Sequence, residues 1–311
     1  MKLSFIIPVF NEEESIDKLY LEIIENIKGY KYEIIFINDG STDSSYEIMK
    51  QMAAKDRNVK LLNFRKNFGK SAGLQAGFDV ADGDILFTMD ADLQDDPKEI
   101  PNFLKKIEEG YDLVTGWKKK RKDPISKTFP SKLFNSITSS FFKMKLHDYN
   151  CGFKAYRKEV IKELDIYGEM HRYIPALASS KGFRIAEIPV KHHKRKFGKT
   201  KYGSERYLRG FLDLLTVKLV TGYIHSPLYL FGRIGAIFGF IGFFIGLYLT
   251  IMKLGFGQPL YNRPLLYLAT LLIMIGLQFF SIGLLGELIV NQNRNMNRKK
   301  NISISEKINF N

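Results

Sequence analysis

Short apolar runs alternate with amphipathic segments over the first 117 residues of the chain. The apolar runs have the length of strands and cover residues 3–8, 33–38, 59–64, 85–90 and 112–117. Between them, apolar residues recur at helical spacing over residues 13–27, 44–54, 71–81 and 98–109. This alternation predicts an α/β domain with a parallel, Rossmann-like sheet, in which ligands bind beyond the carboxyl ends of the strands.

Near the C-terminus the pattern changes to two long stretches without charge. Residues 234–252 form a run of 19 and residues 265–286 a run of 22, and about 20 apolar residues span a bilayer core. We therefore predict transmembrane helices over residues 228–252 and 264–290. The connection between them carries only Lys253 and Arg263, whereas the tail, residues 291–311, is basic. The positive-inside rule then predicts a multi-pass inner-membrane protein with its N-terminal domain and both termini in the cytoplasm.

Two other segments, residues 131–146 and 205–223, have apolar residues at helical spacing opposite basic ones. They fit interfacial helices, one inside an N-terminal domain of residues 1–203 and one in a juxtamembrane segment of residues 204–227. Core-facing helices fit the same periodicity. The Asn- and Lys-rich tail is typical of disorder.

Composition narrows the class of partner. The chain of 311 residues has a formal net charge of +14 and a single cysteine, Cys151. One cysteine excludes a disulfide framework and a zinc ribbon. The positive charge indicates an acidic partner, which can be nucleic acid, an anionic membrane surface or a phosphorylated substrate.

The turns after the first and third strands lack the usual nucleotide-binding glycines. The sequence PVFNEE follows the first strand, so the Gly-x-Gly-x-x-Gly turn of a dinucleotide-binding fold is absent there. Gly69, Lys70 and Ser71 resemble the end of a P-loop, but Phe64 occupies the position of its first glycine. We therefore discount a P-loop ATPase. For Lys70, a solvated lysine at a helix start is favoured over a contact with phosphate, and both interpretations stay open.

The second strand ends in the sequence NDGSTD. A turn with a helix cap accounts for Ser41, Thr42 and Asp43, and accounts less well for Asp39. A carboxylate at this edge of a sheet can accept hydrogen bonds from a base or a ribose hydroxyl. Both interpretations of Asp39 stay open on the sequence alone.

The fourth strand ends in DADLQDDP, which places four carboxylates and an amide within seven positions. Asp95, Asp96 and Pro97 fit an acidic turn that caps the next helix. That interpretation does not explain Asp90 and Asp92. Both carboxylates of an Asp-x-Asp at a strand end can reach one hard cation, Mg²⁺ or Mn²⁺, and Gln94 can add a carbonyl oxygen.

Residues 191–201 (KHHKRKFGKTK) combine six Lys or Arg with two His. A nucleic-acid patch, a solvated loop and a surface for anionic lipid or a phosphorylated substrate are the three interpretations. Residues 191–201 lie just before the predicted transmembrane helices. This position favours a surface for anionic lipid or a phosphorylated substrate over a nucleic-acid patch. His192 and His193 lack helical spacing and a neighbouring carboxylate, so we do not expect a metal site there.

Together, PVFNEE, NDGSTD, DADLQDDP and RKFGKTKYG, followed by two spans, resemble the family 2 glycosyltransferases of the polyprenyl-phosphate type. These are the dolichol-phosphate mannose synthases and bactoprenol glucosyltransferases. The resemblance covers nearly the whole chain. It implies a GT-A fold and the transfer of one hexose from a sugar nucleotide to polyprenyl phosphate. Our first candidate for the donor is UDP-glucose, and the second is GDP-mannose.

The resemblance also implies roles for individual residues. Those that would bind the base and ribose are Pro8, Phe10, Glu12 and Asp39. Those that would hold the metal and the diphosphate are Asp90, Ala91, Asp92 and Gln94, with Lys118 beside the phosphates. Arg195 and Lys201 would bind the phosphates of donor and acceptor, and with Asp92 they form the expected catalytic set. Phe10 stands where the family often has Tyr, and Lys118 stands where Arg is usual and cannot make its bidentate contact.

The implied acceptor explains why no His-Asp or Ser-His arrangement is evident. A phosphate monoester is already ionised near neutral pH, since its second pKa is about 6, so it attacks without a general base and inverts the donor linkage. Glu169 and Asp148 are the candidate bases for a hydroxyl acceptor. A processive polysaccharide synthase is the nearest alternative, but its Gln-x-x-Arg-Trp motif is missing, since the only Trp is Trp117. A non-catalytic membrane scaffold is the other.

The first span carries glycines at intervals of four, three and four residues, at Gly235, Gly239, Gly242 and Gly246. Small residues along one stripe predict a helix-packing surface, either within the chain or between copies in a homo-oligomer.

Overall fold

The computed structural model describes residues 1–119, 138–139, 144–193, 216–217, 227–260, 263–293 and 304–309. The chain forms two compact units, one of residues 1–217 with 300–311 and the other of residues 218–299. Most of residues 131–146 and 204–227, for which we predict amphipathic helices, lies outside the described residues.

Among the described residues, eight strands form the sheet on which the first unit is built. Numbered β1 to β8 along the chain, they lie in the order β7-β5-β6-β4-β1-β2-β3-β8. The five predicted strands are present as β1 (Lys2–Val9), β2 (Lys31–Asn38), β3 (Val59–Phe64), β4 (Ile85–Thr88) and β5 (Leu113–Trp117). β1 pairs in parallel with β2 and β4, and β2 pairs in parallel with β3. The turns after β1, β2 and β4 therefore lie at one edge of the sheet.

Two strands that the sequence pattern does not predict complete the other half of the sheet. They are β6 (Lys154–Arg157) and β7 (Ile185–Pro189). β6 runs antiparallel between β4 and β5, and β7 pairs in parallel with β5. The sheet is therefore mixed, which corrects the expectation of a wholly parallel one.

Helices cover the sheet, and the first four of them are those that the periodicity predicts. They are α1 (Ile16–Asn26), α2 (Ser45–Lys55), α3 (Lys70–Val80), α4 (Ile100–Glu108), α5 (Lys158–Glu163) and α6 (Ile174–Ser180), with 3-10 turns at Pro97–Glu99 and Met170–Tyr173. A core of fully buried rings fixes β1, β4 and α4: Phe5 stacks on Phe87 at 5.1 Å, and Phe87 meets Phe103 edge-on at 6.1 Å. On α3, an added Cβ at Gly77 would lie within 3.0 Å of Ile6 Cγ2. The glycine lets α3 lie close against the sheet, and this brings the helix start to the edge where the turns meet.

The C-terminal tail differs from the expected disordered segment. Residues Ile304–Ile308 form β8, which pairs antiparallel with the outer edge of β3. Asn309 then donates its side-chain amide to the carbonyl oxygens of Ala53 (2.7 Å) and Val59 (2.9 Å). Backbone pairing along an open sheet edge satisfies the donors and acceptors of β3, which is why a polar segment becomes ordered here.

The second unit contains two long apolar helices, α7 (Pro227–Phe256) and α8 (Pro264–Asn293). Each has the length and mean hydropathy, 2.2, of a membrane span. An added Cβ at Gly235 would lie 2.6 Å from the carbonyl oxygen of Gly276, and one at Gly242 would lie 2.8 Å from that of Ala269. Two glycines of the predicted stripe thus serve close packing of α7 on α8 within the chain.

Candidate active site

The turns that follow β1 and β2 are joined by hydrogen bonds between side chains and backbone. Asn11 has a left-handed φ of 53°. Its backbone N–H donates to Ser41 Oγ (3.0 Å), and its side-chain oxygen accepts the N–H of Thr42 (2.7 Å). The N–H of Glu12 donates to Ser45 Oγ (2.9 Å). The two turns therefore form one rigid platform that carries Phe10 and Glu12, the residues expected beside the nucleotide.

Asp39 lies just beyond β2 and is only 4% exposed. Its carboxylate accepts the backbone N–H groups of Phe68 (2.7 Å) and Gly69 (3.0 Å), in the turn that precedes α3. At the next position, an added Cβ on Gly40 would lie 2.6 Å from the backbone of Lys66 and Asn67. Asp39 and Gly40 thus hold the start of α3 against the platform, and the helix-cap interpretation does not describe Asp39.

Asp39 makes the stability of the first unit depend on pH. Burial raises the pKa of Asp39 to about 6, against the lowering effect of the two N–H donors. The folded protein therefore binds more protons at this site than the unfolded chain, whose Asp pKa is about 3.9. Stability then falls as pH rises from about 4 to about 6, by roughly 3 kcal/mol from this group.

We expect Asp39→Asn to remove this decline, because the asparagine does not ionise. The measurement is denaturant unfolding at pH 4.5, 5.5 and 7, followed by the fluorescence of Trp117, the only tryptophan. Transition midpoints should be compared rather than intensities, since the Trp117 ring stacks on His147 at 4.0 Å. Equal pH dependence in the wild type and in Asp39→Asn would contradict the assignment.

Lys70 is the first residue of α3 and forms an ion pair with Asp90. The Lys70 side chain is 24% exposed and that of Asp90 is 33% exposed. Burial alone would raise the pKa of Asp90, but the charges of Lys70 and Lys118 outweigh it and hold this pKa well below its usual range. The interpretation of Lys70 as a solvated lysine is therefore wrong.

The Asp-x-Asp turn itself is tightly shaped. Ala91 is buried and Leu93 has a left-handed φ of 57°, which an L-residue seldom adopts. The turn leaves Asp92 partly exposed, with its Oδ1 accepting the N–H of Gln94 at 3.2 Å. The side chain of Asp92 is thus partly accessible from solvent at the edge of the sheet where the turns meet.

A second ion pair lies beneath the turn. Lys118, just after β5, has its Nζ 3.6 Å from Oδ1 of Asp95, and the two side chains are 13% and 1% exposed. Burial opposes the charge of Lys118, but Asp95 and the other nearby carboxylates raise its pKa above the usual lysine value. Lys118 therefore stays protonated at the site, where it neutralises an otherwise uncompensated buried carboxylate.

The beginning of the basic segment is attached to the same turn. His192 forms an antiparallel bridge with Asp95, and the N–H of His193 donates to the carbonyl oxygen of Gln94 (2.9 Å). The side-chain amide of Gln94 donates to the carbonyl oxygen of His193 (3.3 Å). His193 Nε2 also lies 3.2 Å from Oδ2 of Asp96, so a carboxylate does neighbour this histidine. Arg195 and Lys201 themselves lie outside the described residues.

The two candidate bases for a hydroxyl acceptor are engaged elsewhere. Glu169 accepts a hydrogen bond from the guanidinium of Arg172 at 2.5 Å. Asp148 is 1% exposed and accepts the N–H of Asn150 at 3.1 Å. Both carboxylates support local structure in this arrangement.

Three site residues were missed by sequence reasoning. Lys154 on β6 and His171 in the second 3-10 turn line a small pocket that Lys70 also lines. Gly152 lies against Asp90, since an added Cβ would be 2.5 Å from Asp90 Oδ2. The sequence offers one signal for Lys154, which is a charged residue within the short strand of residues 154–157. That signal can be interpreted only once β6 is known to lie beside β4.

The acidic turn fits a divalent cation that the substrate helps to bind. Among the described residues, no group of three or more His, Cys, Asp or Glu forms a complete metal site. A nucleotide-bound Mg²⁺ or Mn²⁺ usually takes one or two protein carboxylates, and phosphate oxygens and water complete its coordination. Asp92 is partly exposed and the Asp90 side chain is one-third exposed, so both can contribute oxygen ligands.

These features define the class of protein. A nucleotide platform after β1 and β2, an Asp-x-Asp turn after β4 and a mixed sheet at this edge are those of a GT-A glycosyltransferase. The Glycosyl transferase family 2 model matches residues 4–165, and the chain belongs to this family, to its polyprenyl-phosphate type.

The relatives cover nearly the whole chain. A dodecaprenyl-phosphate galacturonate synthase of Rhizobium johnstonii is 37% identical over 296 residues, which cover 93% of this chain and 88% of the relative. An undecaprenyl-phosphate 4-deoxy-4-formamido-L-arabinose transferase of Klebsiella pneumoniae is 36% identical over 292 residues, with the same coverage of 93% and 88%.

Solved structures share the fold. The glucosyl-3-phosphoglycerate synthase of Mycobacterium tuberculosis, in complex with Mn²⁺, UDP and glucosyl-3-phosphoglycerate, superposes with a TM-score of 0.56 at 19% identity. The match covers 70% of this chain and 79% of that chain. At this identity the likeness supports the GT-A architecture of the first unit.

Proposed function

We propose that this glycosyltransferase moves a single sugar from a nucleoside diphosphate sugar to a polyprenyl phosphate, with inversion, at the cytoplasmic face of the inner membrane. One observation carries the proposal. The nucleotide platform and the Asp90–Asp92 turn meet at one edge of the sheet, and His192 and His193, which begin the basic segment, are fixed to that turn. Residues 191–193, which begin the cationic segment expected to bind the acceptor phosphate, thus lie next to the proposed donor site.

The donor half of the site follows from the platform and the turn. Pro8, Phe10, Glu12 and Asp39 would surround the base and ribose. Asp90, Ala91, Asp92, Gln94 and Lys118 would hold the diphosphate and its Mg²⁺ or Mn²⁺. Such a cation would supply positive charge to the departing diphosphate. Arg195 and Lys201 would bind phosphate on the acceptor side.

The acceptor's own chemistry fits the arrangement of the carboxylates. A phosphate monoester is ionised near neutral pH, so it needs no base. Glu169 is held by Arg172, and Asp148 is buried, and both engagements favour an acceptor that needs no base. What the protein must do is hold the phosphate in line with the anomeric carbon and offset charge on the leaving group.

The sugar is the finer part of the proposal. The family resemblance favours a hexose, with UDP-glucose as the first candidate donor and GDP-mannose as the second. The two relatives are named for galacturonate and for 4-deoxy-4-formamido-arabinose, so uronic acids and modified pentoses belong in the test.

The decisive experiment uses purified full-length protein, undecaprenyl phosphate and labelled sugar nucleotides, with Mn²⁺, with Mg²⁺ and with EDTA. We expect one labelled lipid that carries one sugar, formed only with a metal. A labelled polymer would instead indicate a processive synthase. Absence of both transfer and metal-dependent sugar-nucleotide binding by calorimetry would indicate a scaffold.

The membrane topology can be tested by labelling introduced cysteines without replacing the native Cys151. Cys151 is buried, and burial raises the pKa of its thiol to about 12, so it should not react. In intact cells, a membrane-impermeant maleimide should label Gln258→Cys, between the spans, and should not label Lys28→Cys, on the surface of the first unit. Permeabilised cells should show labelling of both. Labelling of Lys28→Cys in intact cells would reverse the proposed orientation.

A further inference from the structure

A small pocket lies next to Asp90 on the side of the sheet that α3 covers. Lys70, Thr88, Lys154, Tyr156 and His171 contribute to its lining. Lys70 connects the pocket directly to the Asp-x-Asp turn, since it also pairs with Asp90. A group bound in the pocket would therefore lie beside the proposed donor diphosphate.

Lys154 gives this pocket an unusual charge. The residue is only 3% exposed, and its ammonium donates to the carbonyl oxygen of Cys151. Within the described part of the chain, no carboxylate lies within ion-pair distance of Lys154. Burying an ammonium without a counter-ion is unfavourable, and burial lowers the pKa of Lys154 to about 8. The pocket thus holds a buried cation that an anionic ligand would stabilise.

The neutral polar groups show which donors are already used. The hydroxyl of Thr88 donates to the carbonyl oxygen of Gly152 (2.8 Å), and Tyr156 Oη lies 3.2 Å from Thr88 Oγ1. Tyr156 therefore donates to Thr88, so neither hydroxyl proton is available to a ligand. Two of the three ammonium protons of Lys154 are not used by the Cys151 carbonyl.

His171 adds a neutral donor group to the pocket. Its Nδ1 lies 2.9 Å from Ser71 Oγ, which also accepts the backbone N–H of His171. Burial and the neighbouring charge of Lys70 lower the pKa of His171 well below its usual value, so the ring is neutral. When the Ser71 proton is donated to Nδ1, Nε2 carries the ring proton and can donate to a ligand.

We propose that this pocket binds a carboxylate carried by the transferred sugar, so that the donor is a nucleoside diphosphate uronic acid. This inference rests on the proposed function. The names of the relatives do not decide the sugar, because they include an acidic and a neutral one. The buried charge of Lys154 favours the acidic one, because a neutral sugar would leave that charge uncompensated.

The acceptor phosphate is the other possible source of an anion. It would reach Lys154 whichever sugar is transferred. A role in binding the acceptor would therefore raise the KM for polyprenyl phosphate equally with every donor, whereas a role in binding the sugar changes the preference between donors.

The experiment compares matched donors that differ only at C6, which is a hydroxymethyl group in one and a carboxylate in the other. The pairs are UDP-galactose with UDP-galacturonate, UDP-glucose with UDP-glucuronate, and GDP-mannose with GDP-mannuronate. The wild type should transfer the acidic member of one pair at least about tenfold more efficiently in kcat/KM. Lys154→Met should lower kcat/KM for the acidic donor roughly 10- to 100-fold and change the neutral donor little. Lys154→Arg should retain part of the preference.

Lys158→Met is the matched control. Lys158 follows β6 directly and pairs with Asp82 at 3.0 Å on the exposed surface, so its replacement should leave the donor preference unchanged. Trp117 fluorescence confirms that each variant is folded. Efficient transfer of neutral sugars only, or an equal effect of Lys154→Met on both donors, overturns the inference while the proposed function stands. Failure of all six donors overturns the inference, and the wider donor panel, which includes modified pentoses, then tests the proposed function separately.

Discussion

Replacing Asp92 by asparagine should lower sugar transfer roughly 10²- to 10³-fold without unfolding the protein. Asp92 is partly exposed, and its Oδ1 accepts the N–H of Gln94 at 3.2 Å. Asparagine keeps an oxygen at that position, so the turn should persist while the charge is lost. The change should therefore act mainly through the charge with which Asp92 is proposed to bind the cation and the diphosphate.

The measurements are transfer to undecaprenyl phosphate and Mn²⁺-dependent binding of UDP by calorimetry. Both should fall together in Asp92→Asn. Asp96→Asn is the control from the same turn, since Asp96 Oδ1 accepts the N–H of Lys98 at 3.0 Å, and asparagine caps a helix start equally well. Unchanged Mn²⁺-dependent binding in Asp92→Asn would remove Asp92 from the metal site.

Asp90→Asn should behave differently, because Asp90 pairs with Lys70. Its loss leaves Lys70 without that partner, so stability as well as activity should decline. The contrast separates the proposed roles of the two carboxylates: Asp92 would bind the cation and diphosphate, whereas Asp90 also joins the turn to the start of α3 through Lys70.

The sequence predicts the strands that are short apolar runs. β1 to β5 are of this kind, because strands buried on both faces contain few polar residues. The same rule fails for β6, in which two of four residues are charged. Lys154 is nevertheless 3% exposed and lines the pocket beside Asp90. A buried charged residue thus breaks the apolar pattern from which β6 could have been predicted.

The motifs are predictable from sequence, whereas their partners in space are not. Asp39 and the Asp-x-Asp turn stand out because carboxylates at strand ends need an explanation. Lys70 does not, since its partner Asp90 is twenty positions away and only the parallel pairing of β1 with β4 and the close approach of α3 bring them together. Periodicity carries no information on such contacts. The tail strand β8 was missed for a related reason, because its order comes from the open edge of β3.

Gly152→Ala should lower transfer by about 10²-fold, although Gly152 has no side chain that could take part in the reaction. The added Cβ would lie 2.5 Å from Oδ2 and 2.8 Å from Cγ of Asp90. The backbone at Gly152 cannot easily yield, because its carbonyl oxygen accepts the Thr88 hydroxyl at 2.8 Å. Asp90 must therefore move, and the Lys70 ion pair and the turn that carries Asp92 move with it.

Gly77→Ala separates this effect from general destabilisation. Its added Cβ would also lie within 3.0 Å of another side chain, but that contact is with Ile6 in the core beneath α3. We expect Gly77→Ala to lower the unfolding midpoint and to keep transfer per folded molecule near that of the wild type. Gly152→Ala should show the reverse, with a small change in midpoint and a large loss of both transfer and Mn²⁺-dependent UDP binding. Parallel losses of stability and transfer in the two variants would mean that Gly152 supports the fold and does not position Asp90.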